Sequence, residues 1–132
     1  MIPVPAPVLP DAESALLYAL VPVEPDIRFV TIMPAGDLIQ ITARLHRISG
    51  APRNIHVDRP IVDVDVYGPK SDAGSVSAAA RSIQADIHSF AGIKVTNGVI
   101  QHASTIAGPR SLPEANPDIV RYGATYEILI HP

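Results

Sequence analysis

The 132-residue chain has no cysteine and no tryptophan, and only 5% of its residues are aromatic. The absence of cysteine excludes disulfide frameworks, thiolate metal sites, iron–sulfur clusters and cysteine nucleophiles. Charged residues make up 17% of the chain, below the roughly 25% that is typical of soluble domains. Together with 47% hydrophobic residues, this low charge indicates that a partner covers some of the surface.

The charge that is present is nearly balanced, because ten Lys and Arg stand against thirteen Asp and Glu and give a formal net charge of −3. This balance argues against a free-standing nucleic-acid binder. The longest nearly apolar stretch, residues 15–23, contains Pro22 and is far shorter than the ~20 residues of a membrane-spanning helix. The N-terminus has no basic region and no unbroken apolar segment, so we expect no signal peptide.

The length fits a single domain with one hydrophobic core. Six of the fourteen prolines lie within the first 25 residues. Because proline fixes φ and removes an N–H donor, residues 1–10 are predicted to be an extended, Pro-rich arm, which either frays or lies along a neighbouring subunit. Residues 11–132 are predicted to form one domain.

Hydrophobic periodicity predicts a short helix that starts after Asp11 and stops before Pro22, and a longer helix that runs from Asp72 or Ser75 to about Phe90. We expect the first two strands to form an antiparallel hairpin, and long loops at 49–60 and 107–118. The order of helices and strands along the chain predicts an α+β fold. It consists of an antiparallel or mixed sheet of about four to five strands with both helices packed on it. Strand-like runs lie at 28–33, 38–48, 61–68, 94–96, 98–106 and 119–130.

The pair Asp63 and Asp65 is the strongest candidate for chemistry, because alternate residues of a strand share a face with Cα atoms about 6–7 Å apart. Two carboxylates at that distance suit a divalent cation or an acid/base pair. No third acidic ligand lies nearby, however, so the pattern is more typical of a solvated or partner-facing strand. The histidines show no ligand spacing, and there is no nucleophile elbow or phosphate-binding loop. We therefore predict no enzyme, no catalytic residue, no metal and no cofactor.

Positive charge is concentrated between residues 28 and 59, where five arginines stand against Asp37 and Asp58. This segment could face phosphates or an acidic surface on a second copy. Because single-strand binding platforms use several aromatic residues and only Phe29 lies in the segment, contact with protein is favoured. The two long predicted loops are also typical of contact segments in a small domain. These features predict an assembly component.

The order of elements in the second half of the chain points to a family. Residues 62–90 read VDVDVYGPKSDAGSVSAAARSIQADIHSF, a strand, a Gly-Pro break and an Ala-rich helix. Gly92, a Val/Ile-rich strand at 95–106, a Gly108-Pro109 turn and the final strand RYGATYEILIH at 121–131 follow. This layout, over roughly residues 25–132, resembles the tail terminator proteins of long-tailed (siphovirus-type) bacteriophages, particularly those of actinobacteria.

The resemblance implies a structural virion protein that forms a six-membered ring on the head-proximal end of the tail tube. The ring would end tube polymerisation and join the tail to the head-completion or stopper protein, with genomic DNA passing through it without specific binding. The implied partners are further copies of the chain, the major tail tube protein and the head-completion protein, and no membrane. The implied location is the tail or neck of the virion, after assembly in the host cytoplasm. Candidates for the ring's hole or its subunit contacts are Asp63, Asp65, Arg44, Arg47, Arg53, Arg59, Arg110 and Arg121.

Two alternatives stay open at this point. One is another neck component of the same virion, such as a head–tail stopper or a tail-completion protein of similar size. A gene for the major tail tube protein immediately downstream would favour the terminator. The other is a small α+β enzyme that uses the two aspartates with His56, which would require tight, stoichiometric binding of a metal or ligand.

Overall fold

A computed structural model of the protein describes residues 3–34, 38 and 40–132. Within these residues the chain forms two α-helices, six strands and a short 3-10 turn before the second helix. The elements are α1 (Ala12–Leu20), β1 (Arg28–Val30), β2 (Thr42–Gly50), β3 (Pro60–Pro69), α2 (Ala73–His88), β4 (Lys94–Val95), β5 (Gly98–Leu112) and β6 (Ile119–His131).

The strands form one mixed sheet in the order β1-β2-β3-β6-β5-β4, with the two helices packed on it. The predicted α+β fold is confirmed, with slightly more strands than expected.

Helix α1 starts where its N-cap predicts. The backbone N–H of Glu13 donates to Asp11 Oδ1 at 3.1 Å, and the Ser14 hydroxyl donates to Asp11 Oδ2 at 2.8 Å. This side chain satisfies a backbone donor that the first turn would otherwise leave without a partner. The helix ends at Leu20, before Pro22, as predicted.

Helix α2 lies across the sheet and buries one stripe of side chains. It follows Asp72, whose side chain makes no capping hydrogen bond, and it ends at His88, two residues earlier than expected. Gly92 then turns the chain with a φ of +86°, the left-handed conformation that glycine adopts most easily. The buried stripe of the helix consists of Val76, Ala80, Ile83 and Ile87.

The central strands have two unlike faces, because successive side chains of a strand point to opposite sides. Val62, Val64 and Val66 of β3 face the helices and are buried. The register places Leu45 of β2 opposite Val64 and Tyr126 of β6 opposite Val62, so their side chains extend the same apolar layer. The core therefore lies between the helices and one face of the sheet.

The predicted antiparallel hairpin at the start of the sheet is wrong. Strand β1 pairs with β2 in parallel, with Arg28 opposite Thr42 and Val30 opposite Arg44. A parallel pair needs a connection of about a dozen residues that carries the chain back along the strand, and residues 31–41 supply this length. Residues 35–37, where a tight turn was expected, lie outside the described residues.

The predicted loop at 107–118 is also wrong, since β5 continues through Gly108 and Pro109 to Leu112. Register shifts on either side of Ala107 let the strand absorb the proline while it still pairs with β6, which is the usual role of a bulge. The loop shrinks to 113–118. The loop predicted at 49–60 is similarly reduced, to 51–59, because β2 extends to Gly50.

Gly50 is expected to tolerate alanine worse than Gly92, although both have positive φ values, of +96° and +86°. A Cβ at Gly50 would lie 2.8 Å from the backbone nitrogen of Ile61 and would clash with the carbonyl oxygen of Arg59, whereas nothing lies within 4 Å of a Cβ at Gly92. We expect Gly50→Ala to cost about 2 kcal/mol and Gly92→Ala about 1 kcal/mol of unfolding free energy. Urea unfolding of both variants tests this, and equal losses would contradict the clash.

Candidate functional site

Five of the eight predicted contact residues lie on the face of the sheet that points away from the helices, which we call the outer face. Residues directly opposite in register share a face, and Arg44, Asp65, Gly123 and Arg110 follow one another across β2, β3, β6 and β5. The fold thus brings together residues that are far apart in sequence. The five predicted residues on the outer face are Arg44, Asp63, Asp65, Arg110 and Arg121.

Asp65 is held by an ion pair within its own chain. Its Oδ2 accepts a hydrogen bond of 3.1 Å from Nη2 of Arg121, and Asp65 is only 6% exposed. The guanidinium carbon of Arg121 lies 5.9 Å from the centre of the Tyr67 ring. Burial tends to lower the pKa of Arg121, but the hydrogen bond and the charge of Asp65 raise it overall. Arg121 therefore keeps its charge and its partner.

Tyr67 belongs to the same cluster as this ion pair. Burial is the main reason that the pKa of its hydroxyl is raised, and the negative charge of Asp65 adds to the effect. The phenol therefore stays neutral beside the carboxylate. The neutral ring lies within cation–π distance of the guanidinium of Arg121.

Asp63 has a different partner on the next strand. The hydroxyl of Thr125 donates to its Oδ1 at 2.6 Å, and Asp63 is half-buried. Gly123, directly opposite Asp65 on β6, leaves the space that the Asp65 carboxylate occupies, since a Cβ there would lie 2.6 Å from Oδ1 of Asp65. Both carboxylates are thus engaged by groups of their own chain.

The outer face carries balanced charge, because the acids Asp63, Asp65 and Glu127 share the face with three arginines. Among the described residues no group of three or more His, Asp or Glu side chains could hold a metal ion. His56, which could have joined the aspartates in an enzyme, is exposed in the loop 51–59.

Arg47 makes the shorter of the two ion pairs found among the described residues, and its partner is Asp58. Its Nη1 lies 2.6 Å from Oδ2 of Asp58 and its Nη2 lies 3.1 Å from Oδ1. The backbone N–H of Arg59 also donates to Asp58 Oδ1, at 2.9 Å. Asp58 is 3% exposed, and its backbone bonds to Ile130 of β6 in both directions. This pair anchors the end of the loop, while Arg53 and Arg59 remain exposed on it.

Sequence reasoning missed Asp58 as an anchor and Thr125 as a partner. A signal for Asp58 was present, because it is the one acid between residues 38 and 62, a stretch that holds four arginines. A single carboxylate among several guanidiniums is expected to pair with one of them. No comparable signal marks Thr125, which lies 62 residues from Asp63.

A small recess of about 170 Å³ lies at the end of the sheet where β6 begins. Its lining holds one acid, Asp118, and no histidine. That set of side chains offers nothing to activate a nucleophile. The recess is lined by Leu38, Pro69, Asn116, Asp118 and Ile119.

Neither described helix has the length and apolar character needed to cross a membrane.

The helices also share a carboxyl pair, Asp86 on α2 and Glu24 after α1. Burial, and then the hydrogen bond and charge of Glu24, raise the pKa of Asp86 from 3.8 to about 7. The hydroxyl of Ser82 donates to Oε1 of Glu24. A raised pKa means that the folded chain binds the proton more tightly than the unfolded chain does. The stability that this proton contributes is complete below pH ~4 and is lost as the pH rises through about 7.

We therefore expect the melting temperature to fall between pH 5 and pH 8, and Asp86→Asn to remove part of that fall. Asp26→Asn is the matched control, because Asp26 is exposed in the same turn as Glu24. Melting curves across this pH range test the expectation. Parallel curves for the wild type and Asp86→Asn would contradict the coupling.

Comparison with known proteins gives likeness of fold. No protein-family model and no curated protein matches the chain. A solved structure described as the virion of a native gene transfer agent particle contains a chain that is similar with a TM-score of 0.63 and 13% identity, over 92% of this chain and 85% of that one. A second solved structure, without a functional name, is similar with a TM-score of 0.53 and 12% identity, over 89% of this chain and 93% of that one. At these identities, the fold is what the proteins share.

Proposed function

We propose that the chain is a structural virion protein and, more narrowly, a tail terminator. The observation that supports this most is the likeness, over 92% of the chain, to a component of a gene transfer agent virion. The order of elements along the sequence, which resembles that of phage tail terminators, supports the same proposal.

The surface supports an assembly role. Large apolar side chains are exposed in several segments of the described chain, with Ile32 82% exposed and Ile55 62% exposed. Tyr18, Val21 and Val23 are each at least half exposed on one segment at the end of α1. Apolar side chains grouped on a surface of low charge are typical of a protein that works in contact with others.

In the proposed mechanism, six copies close into a ring through a heterologous interface, in which one patch meets a different patch on the next copy. One side of the ring offers contacts like those of the tail tube, so the ring binds the tube end and no further tube subunit can be added. The other side takes the head-completion protein, and DNA passes through the hole. These steps need contact surfaces and no catalytic group.

The first test is the mass of the purified chain in solution, measured by light scattering over a range of concentrations. A ring has six times the 14.0 kDa mass of the chain. The second test adds the protein to tail tube protein during polymerisation. A terminator shortens the tubes and appears at one end of each in electron micrographs. Binding to a head-completion protein without any effect on tube length would favour a stopper or tail-completion protein instead.

The arginines on the loop 51–59 provide a test by mutation. Arg53 and Arg59 are exposed, so Arg53→Glu combined with Arg59→Glu is expected to leave the melting temperature nearly unchanged. The same variant is expected to weaken ring formation or tube capping at least tenfold, because reversed charges oppose an acidic neighbour. Arg81→Glu on the exposed side of α2 is the matched control. Equal behaviour of both variants would remove this loop from the interface.

A further inference from the structure

One edge of the sheet is left without a partner strand. Strand β4 pairs with only Gly98 and Val99 of β5, and the backbone groups of Ile100 are taken by Gly92 and Ile93. From residue 101 to residue 112, the other edge of β5 faces no strand in the described part of the chain. A row of unpaired N–H and C=O groups on a strand edge is a template for another strand.

The direction of these groups follows from the pairing of β6. Ile130 exchanges both backbone hydrogen bonds with Asp58, at 2.8 and 3.0 Å, on the side of β6 that faces β3. Backbone groups alternate in direction along a strand, so the N–H and C=O groups of Leu129 and Glu127 point towards β5. There they face the backbone groups of His102 and Ser104. On β5, Ala103 lies between His102 and Ser104, and Thr105 follows Ser104. Ala103 and Thr105 therefore direct their N–H and C=O groups to the open edge.

On the opposite side of the sheet, the edge of β2 is covered at two points. Strand β1 covers the start of β2, from Thr42 to Arg44. Farther along β2, the backbone N–H of Arg47 donates to Oε2 of Glu13 at 3.0 Å. A side chain of α1 thus occupies a donor that would otherwise invite pairing. In the described residues no side chain bonds the backbone of Ala103 or Thr105 in this way, while the hydroxyl of Thr105 itself bonds Gln84 and His88 of α2.

The N-terminal arm has a matching pattern. Prolines at 3, 5 and 7 alternate with Val4, Ala6 and Val8. In an extended chain, the N–H groups of alternate residues point to the same side. Residues 4, 6 and 8 therefore carry all the donors on one side, while the other side has prolines that donate none. Such a chain can add to one strand edge and then stops further addition.

The arm is also free to reach another molecule. Val4 is 92% exposed and Val8 is 89% exposed, so their side chains do not pack on their own chain. The arm is anchored at its far end, where Pro10 is buried and its Cγ lies 2.5 Å from the position of a Cβ on Gly98. It therefore leaves the molecule near the start of β5, as a segment without regular secondary structure whose valines are exposed.

We infer that the arm of one copy adds as a strand to the open edge of β5 on a neighbouring copy, with Val4, Ala6 and Val8 turned towards Ala103 and Thr105. The stretch 102–105 is regular, between register shifts that precede and follow it. The inference rests on the proposed ring, in which each arm would tie one subunit to the next. The arm thus acts as a clasp whose prolines keep further strands from joining.

Cysteine cross-linking tests the contact directly, because the chain has no cysteine of its own. Ala6→Cys and Thr105→Cys proteins are prepared separately, mixed and oxidised. We expect a disulfide-linked dimer that contains one chain of each kind. Ile55→Cys, at a site exposed outside the sheet edge, replaces Thr105→Cys in the control. Cross-linking no stronger than this control overturns the inference, as does a bond that forms within one chain when both cysteines are placed in the same molecule.

A matched pair of proline changes tests the hydrogen bonds. Ala6→Pro removes a donor on the pairing side, and we expect it to raise the concentration at which the ring dissociates about tenfold. Pro5→Ala adds a donor on the opposite side and is expected to leave that concentration unchanged. A stable ring with equal behaviour of both variants overturns the clasp and leaves the ring in place. A chain that stays monomeric at every concentration overturns the clasp as well, whereas the terminator is judged separately, by tube capping.

Discussion

Asp58→Ala is expected to lower the free energy of unfolding by about 3–4 kcal/mol. The variant loses two hydrogen bonds with Arg47, at 2.6 and 3.1 Å, and one with the backbone of Arg59. Because Asp58 is 3% exposed, water cannot replace it fully as a partner for the guanidinium. Urea unfolding followed by circular dichroism measures the loss.

The matched control for this prediction is Asp118→Ala, which removes a carboxylate that is exposed near the end of the sheet. We expect it to leave the unfolding free energy nearly unchanged. If Asp58→Ala costs less than about 1 kcal/mol, the pair with Arg47 is not the anchor of the loop. In that case, the loop would have to be held by the backbone bonds between Asp58 and Ile130 alone.

Asp65→Ala is expected to cost about 3 kcal/mol. The change leaves Arg121 without its partner and removes the carboxylate opposite Arg44, whose Nε is already buried without a hydrogen bond. Two guanidiniums would then share the outer face with less negative charge between them. We expect urea unfolding to show the lower free energy and light scattering to show fewer rings, because a subunit that unfolds cannot form the ring.

Asp63→Ala provides the comparison, because Asp63 loses only a hydrogen bond from Thr125 and is half-buried. We expect a cost of about 1 kcal/mol. Asp63→Lys then separates function from stability. If the lysine variant keeps both ring formation and tail length, the predicted place of Asp63 in the hole or at a subunit contact is wrong. A loss of either, with the fold intact, would support that place.

The sequence by itself determined the elements whose signals are local. The period-two pattern of residues 61–68 and 119–130 predicted strands with one buried face, and Val62, Val64 and Val66 are buried as expected. The N-cap at Asp11 and the stop at Pro22 bounded α1. These signals succeed because a side chain's face follows from its position in a regular backbone, and a cap acts on its own turn.

Tertiary structure alone decided how these elements meet. The parallel direction of β1 is seen only in its pairing with β2, and the continuation of β5 past Pro109 depends on pairing with β6. The partner of Asp65 lies 56 residues away in sequence. Long-range pairings of this kind are selected by packing and by the burial of charge across strands, and no local pattern encodes them. The open edge of β5 is likewise visible only once the strand order is known.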